Sequence, residues 1–582
     1  MQYKRFLGGL FFFVILCVFL QATNNYHYFY IEQFQLFLFS NQYIMDKLAG
    51  VGGFSVLLSE FLIQFFAFPY LGSCIISFVL VIICLLTRTV LKQIAPFSDF
   101  YALCFLPSLA LLLMHFDHNY FLQGTIAYLL FLLFLNLYLC ISDFRYRLFV
   151  GLFLLPILFL CGGAIVTLFV ICIFIHEIIK CPRKSYLSIL MLLELLCLGV
   201  ACVHQAILPD YRFAFLPDAY YLPLLTPPAL IYFSWIIFPV LLLVAFLCGN
   251  VKITTTKSRI INNGVQLLLV ALLCLWSIPR YNKADSYQLK KLDHYTRTEQ
   301  WDQIIEESAG PLNNYLYLCH LNLALMERGE LADRLFFFDQ HGVDGLMRPW
   351  DKTFVVSNLL SDIYFSLGDI ALAQRTAFEA LMTVPGDANP RNLKRLIQTN
   401  LIYGTYPIAE KYISILEKTF AYKDWAAAHR KYLYNDEAVE SDPLLGAKRQ
   451  GLTTNNHMSQ LDGVIPDLIQ QAEENPSNQL PIQFVGVTYL LSKDLASFQQ
   501  MIEKYYGTPV LPALPHSFQE AVIMLSENDP DYWRHFNVSD VVIQRFMNYR
   551  ETVLRNRNNA QALPALLRNS YANTYWYYYI YK

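Results

Sequence analysis

The first half of the chain alternates long apolar runs with short polar segments, a pattern typical of membrane-spanning helices. Runs of spanning length occur near 6–20, 71–91, 97–114, 120–141, 148–161, 164–179, 186–207, 229–249 and 260–278. A bilayer core about 30 Å thick requires about 20 mostly apolar residues per helix, so the pattern predicts about nine spans. Only Gly162-Gly163 separates the runs at 148–161 and 164–179, which predicts a tight hairpin.

A further apolar segment, Gly52–Pro69, differs from the spans because it contains Glu60 and Gln64. A re-entrant or interfacial helix accommodates such polar side chains better than a tenth span does. The segment belongs to a long loop over residues 22–70 that follows the first span. The sequence therefore predicts an all-α fold that begins with a polytopic transmembrane helix bundle over residues 1–279.

After Pro279-Arg280 the sequence becomes charged and amphipathic, and one stretch indicates a helical repeat. Its packing positions have the spacing of a tetratricopeptide repeat at Tyr364, Ala373, Ala380 and Pro385, with Gly368 in the turn. Further units are predicted at 299–338, 391–425 and, as a weaker echo, Thr488–Tyr506. Small Ala side chains let paired helices approach, and each unit buries its apolar face against its neighbours. The alternative is a generic α-helical domain with chance spacing.

This pattern divides the second half into three predicted parts. Soluble tetratricopeptide-like helical repeats cover residues 280–435, a polar linker covers 436–462, and further helical repeats cover 463–582. The chain ends in a Tyr-rich tail over Tyr571–Lys582. Because tyrosine buries apolar surface while its hydroxyl stays wet, we expect this tail to dock onto the domain or the membrane interface.

The distribution of Lys and Arg predicts the orientation of the bundle. With a cytoplasmic N-terminus, the cytoplasmic loops hold twelve such residues, from Lys4 to Arg259, whereas the outer loops before residue 280 hold only Lys47 and Arg212. The sequence therefore predicts a multi-pass protein of the bacterial inner membrane, with the lipid bilayer as a partner and a periplasmic C-terminal domain.

Composition and motifs exclude several classes of function. With 56% hydrophobic and 15% charged residues, the chain does not form one soluble globule. A net charge of −2 and the absence of a long basic stretch disfavour nucleic-acid binding. The sequence contains no P-loop, GxGxxG, HExxH or GxSxG motif and no Cys/His metal spacing. No metal site is predicted, and any cofactor remains unknown.

Polar side chains gather in three predicted outer loops, where ionisable groups next to a membrane are candidates for function because burying them is costly. Candidate catalytic acids are Glu32 and Asp46 in loop 1 (residues 22–70). Candidate substrate-binding residues are Glu60 in loop 1, His115, Asp117 and His118 in loop 2 (residues 115–120), and Arg212 in loop 3 (residues 208–228). Together they offer a general base and a cation for a phosphate-linked substrate.

Each candidate also has a structural interpretation. Glu32 fits a solvated loop acid, and Glu60 fits an acid held by a structural hydrogen bond. The His-Asp-His group of loop 2 has ligands for a divalent metal, but a wet interfacial loop is the favoured interpretation. Arg212 is the only cation of loop 3 and either holds a diphosphate or pairs with Asp210.

Two of the acids within predicted spans are expected to have structural partners. Glu194 lies mid-span, and we expect it to pair with a neighbouring helix or with His204, with one of the two groups neutral. His176-Glu177 lies by the cytoplasmic border, where a structural role is expected.

The string Tyr30–Phe37, followed by Gly52-Gly53 and Phe61–Phe66, resembles an uncharacterised bacterial family of polytopic membrane proteins (a domain of unknown function). More remotely, the layout resembles the GT-C integral-membrane glycosyltransferases, some of which carry a tetratricopeptide tail. That resemblance implies a polyprenyl-phosphate sugar donor, with an acid of the first outer loop as base or metal ligand. Here Glu32 and Asp46 stand alone, without the paired acids of that superfamily.

Two functions of different classes follow. The first is a membrane-embedded glycosyltransferase-like protein that uses a polyprenyl-phosphate-linked sugar on the outer face of the inner membrane, with the repeat domain binding a protein or glycan acceptor or partner. The second is a non-enzymatic cell-envelope scaffold or assembly factor that anchors a protein-binding repeat domain. A cavity between the spans, open to lipid and lined by Glu32, His118 and Arg212, would favour the first; a solidly packed bundle would favour the second.

Overall fold

The computed structural model of the chain describes residues 2–96, 100–248, 256–384, 388–454, 464–557 and 561–582. The elements of these residues are helices, and no β-strand occurs among them. The chain forms two compact units, divided between Tyr287 and Gln288, and the short segment Lys418–Ala421 belongs to the first unit. Pro385 of the predicted repeat and residues 455–462 of the predicted linker lie outside the described residues.

The first unit is a helical bundle around an apolar core. Its helices are α1 (Gln2–Ile31), α2 (Asn41–Leu48), α3 (Gly53–Ile63), α4 (Leu71–Ile94), α5 (Leu106–Met114), α6 (Leu122–Leu139), α7 (Phe144–Gly162), α8 (Val166–Lys180), α9 (Ile189–His204), α10 (Tyr211–Phe215), α11 (Ala229–Cys248) and α12 (Thr256–Tyr281). Aromatic side chains fill the core, with Tyr128, Phe131 and Phe238 packed edge to face. Such rings bury large apolar areas in favourable geometry.

Within the described residues, seven helical segments are long and apolar enough to cross a membrane, which indicates a membrane protein. They are Gly8–Phe34, Leu71–Ile94, Leu122–Leu139, Phe144–Lys180, Ser185–His204, Ala229–Cys248 and Lys257–Tyr281. The sequence predicted about nine because it counted two further runs. Leu103–Met114 is helical but shorter than a span, and the two runs of Phe144–Lys180 form one apolar segment.

The segment Phe144–Lys180 folds back on itself at the predicted glycine pair. Gly163 ends α7 with a positive φ of 77°, a conformation that glycine adopts without strain. The Arg147 side chain at the start of α7 forms a bidentate ion pair with Glu177 near the end of α8, with N–O distances of 2.7 and 2.9 Å. Because these two ends meet, α7 and α8 are antiparallel, and Glu177 has a structural role as expected.

The segment around Glu60 is helical but short. At about 1.5 Å per residue, the 11 residues of α3 extend over about 16 Å, roughly half the thickness of a bilayer core. The helix packs against α6 and α7. The helix is therefore shorter than a span, and its re-entrant or interfacial position stays a prediction.

The second half of the chain continues as shorter helices. They are α13 (Ala284–Arg297), α14 (Trp301–Glu307), α15 (Tyr315–Glu327), α16 (Leu331–Arg334), α17 (Phe354–Leu367), α18 (Ile370–Thr383), α19 (Pro390–Ile402), α20 (Tyr406–Leu416), α21 (Lys423–His429), α22 (Asp436–Glu440), α23 (Leu445–Gln450), α24 (Val464–Glu474), α25 (Leu480–Leu491), α26 (Leu495–Tyr505), α27 (His516–Leu525), α28 (Pro530–His535), α29 (Asp540–Arg555), α30 (Leu563–Tyr571) and α31 (Tyr575–Tyr581). Two of them, α22 and α23, lie where the sequence predicted a linker.

The best predicted repeat unit is a pair of packed helices, α17 and α18. Gly368 ends α17 in the left-handed conformation, with φ of 91°. Ala373 and Ala380 of α18 are completely buried, so at these two positions only a methyl group lies against the neighbouring helices. The predicted repeat at 391–425 also contains a pair of packed helices, α19 and α20. Gly404 between them has a positive φ, and Ala409 of α20 is buried.

The Tyr-rich tail packs within the second unit. Tyr575 and Trp576 are fully buried, and the Trp576 indole N–H donates to the backbone oxygen of Glu520 at 2.9 Å. The Tyr578 hydroxyl donates to the backbone oxygen of Leu491 at 2.8 Å. Of the two predicted docking places, the tail therefore occupies the domain.

Candidate functional site

Glu32 lies directly after the first long helix. Because α1 continues to Ile31, the residue begins a 3-10 turn over Glu32–Phe34. Its side chain is buried, so it is not the solvated loop acid of the structural interpretation. The side-chain amide of Gln33 donates to its carboxylate. The turn packs against a second 3-10 turn, Gln64–Ala67, which follows α3.

Glu60 is held by partners within loop 1. The Lys47 ammonium forms an ion pair with its carboxylate at 2.9 Å, and the Tyr43 hydroxyl donates to the second oxygen. The carboxylate is almost completely buried, so these bonds offset the cost of removing its charge from water. Asp46, next to Lys47 on α2, is exposed.

Loop 2 begins with a buried histidine. The His115 Nε2 atom lies 2.8 Å from the Thr125 hydroxyl, which is also 3.2 Å from the Tyr120 hydroxyl. Burial lowers the pKa of His115 to about 4, because the imidazolium form loses its hydration. Burial thus favours the neutral form of this ring near pH 7.

Asp117 joins loop 2 to loop 3. One carboxylate oxygen accepts hydrogen bonds from the backbone and side-chain N–H groups of Asn119, both at 3.0 Å, and the other accepts from the Tyr221 hydroxyl at 2.7 Å. Backbone bonds continue this pairing, because Phe121 N–H donates to Tyr220 and Leu222 N–H donates to Asn119. The two loops thus form one antiparallel contact.

His118 joins loop 2 to loop 1. Its ring centroid lies 5.7 Å from that of Tyr30 and 6.2 Å from that of Phe34, the two aromatic residues on either side of Glu32. The structure therefore brings all three loops together in one group of contacts, which we call the loop cluster: Tyr30–Phe34, residues 115–121 and Asp218–Leu222.

None of the contacts described above for the loop cluster involves Arg212. Its guanidinium lies 3.2 Å from the Asp210 carboxylate, and both side chains are exposed. Hydrogen bonds from Arg212, first of all from its backbone N–H, lower the pKa of Asp210. The structure thus has the local ion pair of the structural interpretation.

Two glycine turns lie beside the loop cluster. A Cβ atom on Gly52 would lie 3.3 Å from the Gly163 Cα atom, so two main chains touch here. The Tyr220 hydroxyl donates to the backbone oxygen of Gly162 at 2.6 Å and accepts from the Ile165 N–H at 2.9 Å. Loop 3 therefore holds the tip of the α7–α8 hairpin, and the hairpin in turn supports the start of α3.

The loop 2 candidates do not assemble as metal ligands. Each side chain has a different neighbour: Thr125 for His115, Tyr221 for Asp117 and the Tyr30 ring for His118. In the described part of the chain, no group of three His, Cys, Asp or Glu side chains has a metal-binding arrangement.

An apolar cavity of about 430 Å³ lies in the bundle between α1, α3, α4 and α6. Its walls are Phe13 of α1, Leu58 and Leu62 of α3, Cys74, Ile75, Phe78, Val79 and Ile82 of α4, and Ile126 and Leu129 of α6. The Phe78 side chain is 59% exposed, so the cavity reaches the lateral surface of the bundle. Glu32, His118 and Arg212, which the sequence analysis placed around such a cavity, do not line it.

The residues that hold the site together were missed by the sequence analysis. Tyr43, Tyr220 and Tyr221 supply the bonds to Glu60, to the hairpin tip and to Asp117. With 39 tyrosines in the chain, no local feature marks these three. Their partners lie 17 to 104 residues away, so only the fold reveals them.

Comparison with known proteins gives a family and no function. A family model described as a family of unknown function (DUF6057) matches residues 1–582. No curated protein and no solved structure matches the chain.

Proposed function

We propose a function for this chain, which belongs to the DUF6057 family of unknown function: it transfers a sugar from a polyprenyl-phosphate donor at the loop cluster, on the outer face of the bacterial inner membrane. The observation that carries the proposal is the convergence of three separate loops around a buried acid. The same bundle also contains a separate cavity with wholly apolar walls. A lipid-linked sugar needs both an apolar site for its chain and a polar site for its headgroup.

Glu32 is the proposed general base of this transfer. It is a buried acid between two aromatic residues of the cluster, Tyr30 and Phe34. A base with little exposure removes a proton from an acceptor hydroxyl without competition from bulk water. Glu60 and Asp117 have positioning roles in this proposal, because their carboxylates already accept bonds from Lys47 and Tyr221.

The proposed orientation rests on charge, and the arrangement of helix ends agrees with the alternation of spans that the charge count assumes. Twelve Lys and Arg residues on one side against two on the other favour a cytoplasmic N-terminus and a periplasmic second unit. Contacts join ends predicted on the same side, as between Arg147 and Glu177. Likewise, the antiparallel α7–α8 hairpin supports counting it as two spans, which makes eight. The predicted ninth span, 97–114, is helical only over Leu103–Met114, which is shorter than a span.

The test of the transferase is replacement of the proposed base. In a strain that lacks the gene, we expect Glu32→Gln to lower transfer by about 10²–10⁴-fold, the contribution typical of a general base. Lipid-linked sugars and surface glycans are measured by mass spectrometry, together with the amount of protein in the membrane. The matched control is Asp46→Asn, which removes an exposed acid of the same loop and should retain transfer.

Two results would contradict the transferase. One is full rescue by Glu32→Gln, and the other is a deletion that leaves every lipid-linked sugar and surface glycan unchanged.

A non-enzymatic scaffold is the second candidate, favoured by a cavity of about 200 Å³ in the second unit. Leu346, Trp350, Tyr364 and Phe484 supply apolar walls beside the Asp344–Arg348 ion pair, whose N–O distance is 2.7 Å. An apolar cavity with a few polar groups at its edge fits a side chain of a protein partner. For a scaffold, Met347→Arg, which introduces a charge into this cavity, should abolish function while Glu32→Gln leaves it intact.

A further inference from the structure

One acid of the bundle lies far from both predicted membrane borders. Glu194 follows Lys184, at the predicted cytoplasmic border, by ten residues, and the intervening chain is helical. At about 1.5 Å per residue this is about 15 Å, the midplane of a bilayer core about 30 Å thick. An ionisable side chain at this depth is costly and needs a partner.

Within the described part of the chain, one of the two carboxylate oxygens of Glu194 lacks such a partner. Glu194 Oε2 is enclosed and has no hydrogen-bond partner there. His204, the alternative partner expected from the sequence, lies ten residues further along α9 and is exposed at its end. The separation is again about 15 Å, so the predicted pairing with His204 is wrong.

The same side of α9 is uncovered. Leu190, Leu193, Cys197 and Ala201 are all exposed, and their spacing places them on one face of the helix with Glu194. Two of these residues, Cys197 and Ala201, are small and four positions apart. Small side chains at this spacing let a second transmembrane helix approach closely. We call these five residues the α9 stripe.

We propose that the α9 stripe binds a transmembrane helix of a second protein, and that a Lys or Arg of that helix pairs with Glu194. Charge complementarity selects this occupant, since a cation at the same depth neutralises the carboxylate and donates hydrogen bonds to it. A second copy of this chain does not fit, because the only Lys or Arg in the nine predicted spans is Arg88, near the end of α4 at the predicted cytoplasmic border. The inference is independent of the proposed transferase.

The test places a photocrosslinking side chain, p-benzoylphenylalanine, at Leu193 of the full-length protein in its native membrane. We expect an adduct with one membrane protein whose crosslinked peptide contains Lys or Arg in the middle of a span. The control position is Ile236 of α11, which is also exposed and should give no such adduct. Glu194→Leu should reduce the Leu193 adduct at least tenfold, as should replacement of the partner's basic residue by Leu. Combining the two replacements should cause no further loss.

Three results would overturn the proposal: an adduct with lipid alone, an adduct between two copies of this chain, or an adduct whose yield Glu194→Leu leaves unchanged. If Glu194→Leu does not accumulate in the membrane, the isosteric Glu194→Gln replaces it, and at least a fivefold loss of adduct is then expected. An unchanged yield with Glu194→Gln would overturn the proposal equally.

Discussion

At the scale of single residues, bonds from other parts of the chain hold Glu60 of loop 1 and Asp117 of the loop cluster. Lys47 neutralises Glu60, and the Tyr221 hydroxyl reaches Asp117 across 104 positions of sequence. A buried polar group that loses its partner costs about 1–3 kcal/mol, so these bonds resist rearrangement of the loops. The proposed transferase assigns the base to Glu32, whose carboxylate accepts a hydrogen bond from the Gln33 amide.

The second unit contains an acid whose ionisation opposes folding. Burial raises the pKa of Asp369 to about 6. The hydrogen bond that the Leu372 N–H donates to Asp369 lowers this pKa, and the charge of Asp467 raises it. Because the folded pKa exceeds the ordinary value of 3.8, stability from this group is fully present below about pH 3.8 and is lost as the pH rises through 6.

We therefore expect Asp369→Asn to flatten the pH dependence of stability. Between pH 5 and 7 the wild type should lose about 1 kcal/mol more than the variant, since asparagine does not titrate. Asparagine also caps a helix as well as aspartate does, so α18 should remain intact. The measurement is thermal unfolding of the full-length protein in detergent at both pH values; parallel curves for the two proteins would refute the shifted pKa.

At the scale of elements, the contact between two glycine turns fixes the hairpin tip against the start of α3. A methyl group at Gly163 would meet the Gly52 Cα atom at 3.5 Å, and the φ of 77° disfavours any L side chain. We expect Gly163→Ala to destabilise the protein by about 1–3 kcal/mol, the cost of such a strained conformation.

The matched control for this substitution is Gly264→Ala in α12. That glycine has helical geometry and no atom within 4 Å of an added Cβ, so alanine should be neutral or slightly stabilising. Both variants are compared with the wild type by melting temperature in detergent. Equal melting temperatures for all three would show that the turn contact is absent.

Helix pairing in the second unit depends on small side chains in the same way. Ala373 of α18 is completely buried, so we expect Ala373→Leu to overpack the pair and cost about 1–3 kcal/mol. The control, Ala427→Leu, adds the same atoms to an exposed position of α21. Thermal unfolding of the full-length variants distinguishes the two positions, and an unchanged melting temperature for Ala373→Leu would contradict the packing of α17 on α18.

At the scale of the whole molecule, the features predicted from sequence are those with local causes. Long apolar runs set the length of α4 or α11, and Gly368 marks the turn after α17, because hydrophobicity and backbone freedom act within a few residues. Contacts between loops have no such local signal. Asp117 and Tyr221 pair because two loops fold together, and nothing near either residue indicates the other.

The same reasoning explains where the sequence analysis failed. Glu194 and His204 were expected to pair, but ten residues along the same helix separate them by about 15 Å. The linker predicted from polar residues contains the helices α22 and α23. Polarity alone does not separate a linker from short surface helices. The buried position of Glu32 was likewise invisible, since it depends on the second turn, Gln64–Ala67, packing against it.

The proposed function requires the loop cluster to lie on the outer side of the membrane, and the charge count predicts the same side for the second unit. The direct measurement is labelling of single introduced cysteines by a membrane-impermeant maleimide in intact spheroplasts, against the labelling of the wild type. Met45→Cys in loop 1 and Ser441→Cys in the second unit, both at exposed positions, should react before lysis. Ser142→Cys, exposed between α6 and α7, should react only after lysis. Protection of Met45→Cys and Ser441→Cys in intact spheroplasts, with labelling of Ser142→Cys, would contradict the proposed orientation.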